Sequence, residues 1–237
     1  WRSPESRWRE EWLRIQTGQE ISATDGSAAA AGEGAASDVA YIIDNPVNHV
    51  AARVALLRPG EKCSGAFSVV ANHLSNNHLM EQVRIAGGAY GCWCYLDTRS
   101  GGLCLQSYRD PNLSETADVF RSAAAVLVEA PTDEQLEQAI VGTIGEMDAP
   151  LPPAAKGYRA TMWRLLGATT AVRQQYRDSV LSTSHEAFAA FAARLSHVTP
   201  RMRVAAFGSA DAVKAASATH APEGAEAAPR EWDVKVL

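Results

Sequence analysis

The chain has 237 residues, 46% of them apolar, enough to build a hydrophobic core without disulfide or metal staples. Its net charge of -5 and scattered Lys and Arg exclude a phosphate-binding surface, so nucleic acid is not an expected partner. No apolar run approaches the ~20 residues of a membrane span, and the start at Trp1 has neither a signal-peptide core nor an initiating methionine, so a soluble fragment without membrane insertion is expected.

Ser3-Pro4-Glu5 has the order of a helix start: a capping hydroxyl, proline at the first helical position, an acid near the positive end of the dipole. Trp8, Trp12 and Ile15 follow at helical spacing, predicting an amphipathic helix. Residues 26–37, GSAAAAGEGAAS, offer no bulky apolar group to bury and read as a linker or insert. The folded body begins near Val39 with the apolar run VAYII, closed by the turn signal Asp44-Asn45-Pro46, and a second strand is expected at about 47–57. Phe67, Val70, Ala71, Leu74, Leu79 and Val83 then suit one apolar face of a long helix that stops at Gly87-Gly88.

Two strands follow, about 89–96 and 102–108, joined by the hairpin loop DTRSG. In the first, Cys92 and Cys94 should share one face and Trp93 and Tyr95 the other. Three capping-box spacings, Asn112 with Glu115, Thr132 with Gln135 and Thr183 with Glu186, predict helix starts. Between the last two, APLPP is a rigid break, with helical segments expected around 158–166 and 170–180. RVAAFGS at 203–209 reads as a closing strand, the Ala-rich segment 210–229 is weakly patterned, and Trp232, Val234 and Val236 alternate as an edge strand.

This order is not a βαβ alternation, so the expected class is α+β, a mainly antiparallel sheet with helices packed on one face. The expected organisation is an amphipathic helix plus linker over 1–38 and one domain over 39–237.

The chemical candidates narrow quickly. There is no G-x-S-x-G elbow, P-loop or dinucleotide glycine fingerprint. Cys63, Cys92, Cys94 and Cys104 are too few and too unevenly spaced for a disulfide framework, which favours a reducing compartment. A Cys/His hydrolase has the residue types but no local signature. A zinc site of Cys94, Cys104 and His78 is conceivable across the hairpin, but C-x-C is not the usual knuckle spacing. His78-Leu79-Met80-Glu81-Gln82 matches the inverted zinc motif HxxEH except at its last position, where Gln82 replaces the second ligand. No cofactor-binding or metal-ligating residue is therefore assigned in this chain.

What remains is Arg84 and Tyr90 on either side of Gly87-Gly88. Two readings are open. In one, Arg84 caps the last carbonyls of its helix and Tyr90 begins a strand with its ring in the core. In the other, the guanidinium and the phenol donate hydrogen bonds to one substrate carbonyl, where fixed donors lower a barrier by several kcal/mol.

VRIAGGAYG at 83–91, SYRDPN at 107–112 and IVGTIGEMDAPLPPAAKGYRATMWRLLG at 140–167, with Val47-Asn48 and Ser75-Asn76, resemble the C-terminal part of the presequence proteases, which are pitrilysin-type inverted-zinc metallopeptidases. The resemblance runs in order over about 41–209, departing at Cys92, where a small glycine is usual, and at the Ala/Gly-rich insert. It implies a pitrilysin-type domain, zinc-free here, from a large enzyme of four such domains that closes around an unstructured peptide. Zinc and the general base would come from HxxEH in the N-terminal half of the same polypeptide. Arg84 and Tyr90 match the pair that reaches the substrate carbonyl. The implied function is degradation of short unstructured peptides, such as cleaved targeting presequences, in the mitochondrial matrix or a plastid, with the fragment inactive alone. The alternative is a non-catalytic pitrilysin-like scaffold or peptide-binding subunit.

Overall fold

The structure, a computed structural model, describes residues 38–58, 60–218 and 232–236. The helix expected after Ser3, the stretch 26–37 and residues 219–229 of the Ala-rich segment lie outside the described residues. The sheet follows from period-two burial. In β2 (His49–Ala55), buried Val50, Ala52 and Val54 alternate with exposed Ala51, Arg53 and Ala55. In β3 (Gly91–Asp97), Cys92, Cys94 and Leu96 turn inward and Trp93 and Tyr95 outward, as the alternation requires.

With β1 (Asp38–Ile42), β4 (Gly102–Tyr108), β5 (Arg203–Gly208) and β6 (Trp232–Val236), these form a six-stranded sheet in the order β3-β4-β2-β5-β1-β6. The pairs β3/β4, β4/β2 and β2/β5 are antiparallel. β1 is parallel to both its neighbours, with Val39 opposite Ala205 on one side and Asp233 on the other. The sheet is thus mixed, antiparallel over the half that carries the hairpin. Asp38 anchors the start of β1: its carboxylate pairs with Arg121 and accepts the Val204 N–H at 3.0 Å.

The helices among the described residues are α1 (Gly65–His73), α2 (Ser114–Val126), α3 (Asp133–Met147), α4 (Pro153–Leu165), α5 (Thr170–Leu181), α6 (His185–Val198) and α7 (Ala210–Ala218). α1 runs directly into a π-helical stretch, Leu74–Ala86. One apolar core joins the inward strand residues to Leu74, Leu79, Val83, Phe120, Phe188, Phe191 and Leu195 from the helices. A smaller cluster of Val69, Ala139 and Val180 holds α1, α3 and α5 together. This is the expected α+β arrangement.

Two helix starts differ from the capping-box expectation. Thr132 and Gln135 make both reciprocal bonds, at 3.2 and 3.0 Å. Asn112 does not cap: α2 begins at Ser114 behind Leu113, which makes no side-chain cap bond. Nor does Thr183, whose hydroxyl turns back to the Val180 carbonyl at 2.7 Å, while α6 begins behind Ser184. The segment after β5 is also more regular than its pattern suggested, since 210–218 form α7 with Val213 and Ala216 buried.

Candidate functional site

The π-helical stretch ends in two nested bonds. Gly88 N–H donates to the Arg84 carbonyl at 3.0 Å, inside a wider bond from Ala89 N–H to Val83 at 3.1 Å. Gly88 takes φ of 79°, the left-handed conformation that only glycine adopts without strain. Gly87 is required for a different reason: a Cβ there would lie 2.6 Å from the Val83 carbonyl oxygen.

This turn separates Arg84, exposed on the last turn of the helix, from Tyr90, which is 68% exposed just before β3. The Arg84 guanidinium donates to Met80 Sδ at 3.5 Å and makes no ion pair among the described residues. It does not close the helix carbonyls, which the turn's own N–H groups take. Tyr90 does not bury its ring. It stands edge-on to Tyr108 with centroids 6.0 Å apart, and Tyr108 in turn meets His49 at 5.0 Å. Both donors therefore face outward from one short segment.

A loop at the end of β4 underlies the turn. Arg109, at φ of 49°, accepts the Tyr90 N–H on its carbonyl at 3.3 Å. Asn112 spans to the other side, its side-chain amide donating to the Gly87 carbonyl at 2.6 Å. The capping-box spacing concealed this role. SYRDPN was legible as a motif, but the partner of its asparagine lies 25 residues away in sequence.

The other chemical candidates do not assemble. Cys94 pairs with Leu105 and Cys104 with Tyr95, so the two thiols lie on opposite faces of the hairpin. No three His, Cys, Asp or Glu among the described residues come together as a metal site. His78 is half-buried, its Nε2 without a hydrogen-bond partner among the described residues, and burial holds its pKa below the usual value. His73 packs edge-on against Phe188 at 5.2 Å.

Cys63, Cys92 and Cys94 are poor nucleophiles, because burial disfavours the thiolate. Cys63 is pushed up to about 11, and Cys92 and Cys94 are raised as well. A cavity of about 440 Å3 lies beside the β3 edge, lined by Asn72, Ser75, Glu146 and Tyr176 among others. Among its polar groups, Asn72 is engaged with Glu146 at 3.0 Å and Ser75 with the Cys94 N–H at 3.1 Å, and neither Arg84 nor Tyr90 lines it.

Among solved structures this fold is that of the M16 peptidase domains. The M16 inactive domain from Pseudomonas fluorescens superposes with a TM-score of 0.56 at 14% identity, over 73% of this chain and 43% of that one. Pitrilysin gives 0.50 at 15% identity, over 84% and 22%. The chain belongs to the PreP C-terminal domain family, which matches residues 38–206. It is 37% identical to presequence protease 1, chloroplastic/mitochondrial, of Arabidopsis thaliana over 179 residues, 75% of this chain. The mouse mitochondrial presequence protease is 26% identical over 147 residues, 62% of this chain. The chain spans 17% of the Arabidopsis protein and 14% of the mouse one. It is therefore the C-terminal domain type of an M16 metalloprotease family, and Arg84 and Tyr90 both fall within the matched stretch.

Proposed function

We propose that this domain supplies the substrate-holding half of a split peptidase site, with Arg84 and Tyr90 donating to the carbonyl oxygen of an extended peptide at the bond to be cut. The observation that carries this reading is the outward placement of two strong donors on either side of one pinned glycine turn, where neither is consumed by the fold. As the carbonyl is attacked its oxygen gains negative charge, and donors already in place stabilise that charge more than they stabilise the ground state. Arg84 offers a permanent positive charge and Tyr90 a neutral O–H.

On this reading the nucleophile and base come from elsewhere in the parent polypeptide. The family's zinc, held in an N-terminal half, would supply the activated water. Exposure of the pair fits a surface that becomes a dry site only when another part of the protein covers it. On this reading the substrates are short unstructured peptides, because both donors need an accessible, extended backbone. The relatives' names point to cleaved presequences in mitochondria or plastids. The chain alone is then inactive.

The test is a kinetic comparison of Arg84→Ala and Tyr90→Phe with the wild type in the full-length parent, on an internally quenched unstructured peptide. Loss of one such donor is expected to lower kcat by about 10²- to 10³-fold. An unchanged kcat in both variants removes the assignment. A parent with neither HxxEH nor stoichiometric zinc would instead mark a peptide-binding scaffold.

A further inference from the structure

We infer that Asn112 is a positioning residue for Arg84 and Tyr90, an inference that rests on the reading of that pair given above. The turn between the donors contains adjacent glycines, whose backbone has little preference of its own, so something outside must hold it. One loop does so from both ends. Asn112 Nδ2 fixes the Gly87 carbonyl at 2.6 Å, and the Arg109 carbonyl fixes the Tyr90 N–H at 3.3 Å. The first bond lies on the Arg84 side of Gly88 and the second on the Tyr90 side.

The loop is rigid enough to serve as a reference. Asp110 is wholly buried, its carboxylate accepting the Asn112 N–H at 2.9 Å and the Thr116 hydroxyl at 2.8 Å. Asn48 exchanges both backbone bonds with Asp110, at 2.8 and 2.9 Å, and its side-chain amide adds a third to the Asp110 carbonyl at 3.0 Å. Asn48 is itself seated against Gly208, where a Cβ would fall 2.4 Å from its Oδ1. Arg109 sits at a φ that a non-glycine residue rarely adopts, so these bonds, rather than local preference, set the shape of the loop. A continuous path thus runs from Gly208 through Asn48, Asp110 and Asn112 to Gly87.

The chemistry at position 112 is specific. The Gly87 carbonyl needs a donor, which an amide supplies; a carboxylate of the same size would set oxygen against oxygen. Loss of the bond frees the Arg84 side of the turn while Tyr90 stays tied to Arg109. The expected defect is misorientation of the pair.

The experiment uses the full-length parent with Asn112→Ala, Asn112→Asp, Arg84→Ala, Tyr90→Phe and the double variant Asn112→Ala/Arg84→Ala, on one quenched peptide. Asn112→Ala is expected to lower kcat by about 10- to 100-fold with KM within about threefold, and the isosteric Asn112→Asp to match it. The double variant should be no slower than the slower single variant, because a donor already removed cannot be misplaced. Wild-type kcat in both Asn112 variants, with Tyr90→Phe or Arg84→Ala impaired, overturns the positioning role and leaves the pair standing. Losses that multiply in the double variant also overturn it. Wild-type kcat in Arg84→Ala and Tyr90→Phe overturns the pair, and the inference with it. Should Asn112→Ala fail to fold, Asn112→Asp carries the comparison.

Discussion

Alanine at Gly87 and alanine at Gly88 are expected to cost similar stability but very different activity. At Gly88 the added methyl meets only Pro111 Cγ at 3.6 Å, an ordinary contact, and the whole penalty comes from holding alanine at φ of 79°. That penalty is about 1–2 kcal/mol. Alanine also stiffens the unfolded chain, returning about 0.4–1 kcal/mol. The net loss is then about 1 kcal/mol, a fall of roughly 2–4 °C in Tm for a chain of this size.

At Gly87, φ is -79°, comfortable for alanine, but the methyl would lie 2.6 Å from the Val83 carbonyl and 2.9 Å from that of Gln82. Both obstacles are backbone, so the turn must retreat by about 0.8 Å to regain ordinary contact. Two hydrogen bonds are strained by that retreat, Ala89 N–H to Val83 and Asn112 to the Gly87 carbonyl. At about 1 kcal/mol net each, and after the same unfolded-state gain, the loss is about 1–2 kcal/mol. The difference appears in catalysis. A shift approaching 1 Å between Arg84 and Tyr90 is expected to lower kcat of the full-length parent by about 10²-fold, whereas Gly88→Ala should stay within about threefold. Urea unfolding of this chain gives the stabilities and peptide hydrolysis by the parent gives kcat. Equal kcat losses in the two variants, or none at Gly87, would refute the reasoning.

Phe191 is fully buried and meets Phe67 edge-on at 5.2 Å, so Phe191→Ala should destabilise by about 3–5 kcal/mol in urea unfolding. A loss below about 1 kcal/mol would place the core elsewhere. Stability should also depend on pH through His73 and His78, whose pKa values burial lowers from 6.5; at His78 the Val119 carbonyl and the Glu81 charge partly oppose the shift. The unfolded chain takes up protons near its unperturbed value while the folded chain takes them up only at lower pH. This contribution is therefore complete above about pH 7 and lost as pH falls below 6.5. A thermal midpoint flat from pH 8 to 7 and falling toward pH 5, with the fall reduced in His73→Gln/His78→Gln, is expected; an equal fall in that double variant would assign it to other groups.

Elements governed by local periodicity were legible, and those governed by distant partners were not. The alternation in CWCYL gave β3 its two faces because each side chain's environment repeats every second residue. Three identical capping spacings diverged because a side-chain oxygen or amide goes to its best available partner. For Thr132 that is its own helix, for Thr183 the end of the helix before, and for Asn112 a carbonyl across the loop. The parallel pairing of β1 with β5 joins Val39 to Ala205, a register that no local pattern encodes. α7 was missed because alanine on every side offers no contrast between a buried and a wet face. The outward placement of Arg84 and Tyr90 lay beyond the residue pattern, since helix capping and core burial satisfy the same residue types.

The π-helical stretch links these levels. Its buried residues, Leu74, Leu79 and Val83, recur at intervals of five and four. In an α-helix five residues leave a side chain about 140° from its starting direction, so Leu74 and Leu79 would not share a face. Bonds running from i to i+5 widen each turn and bring the spacing back into phase. All three side chains are at most 1% exposed, and burial of each contributes about 1.5–3 kcal/mol, enough to hold the wider winding against its poorer hydrogen-bond geometry. Val83 is thereby anchored in the core, and its carbonyl receives the outer closing bond from Ala89. Arg84 follows Val83 directly and its own carbonyl receives the inner bond from Gly88, so its position is set from the core outward. Tyr90 is set from the other direction, through Arg109 and the buried Asp110. The pair is held by two separate anchors that meet at Gly87 and Gly88, which is why the glycine turn and its asparagine contact are where activity should be most sensitive to small displacements.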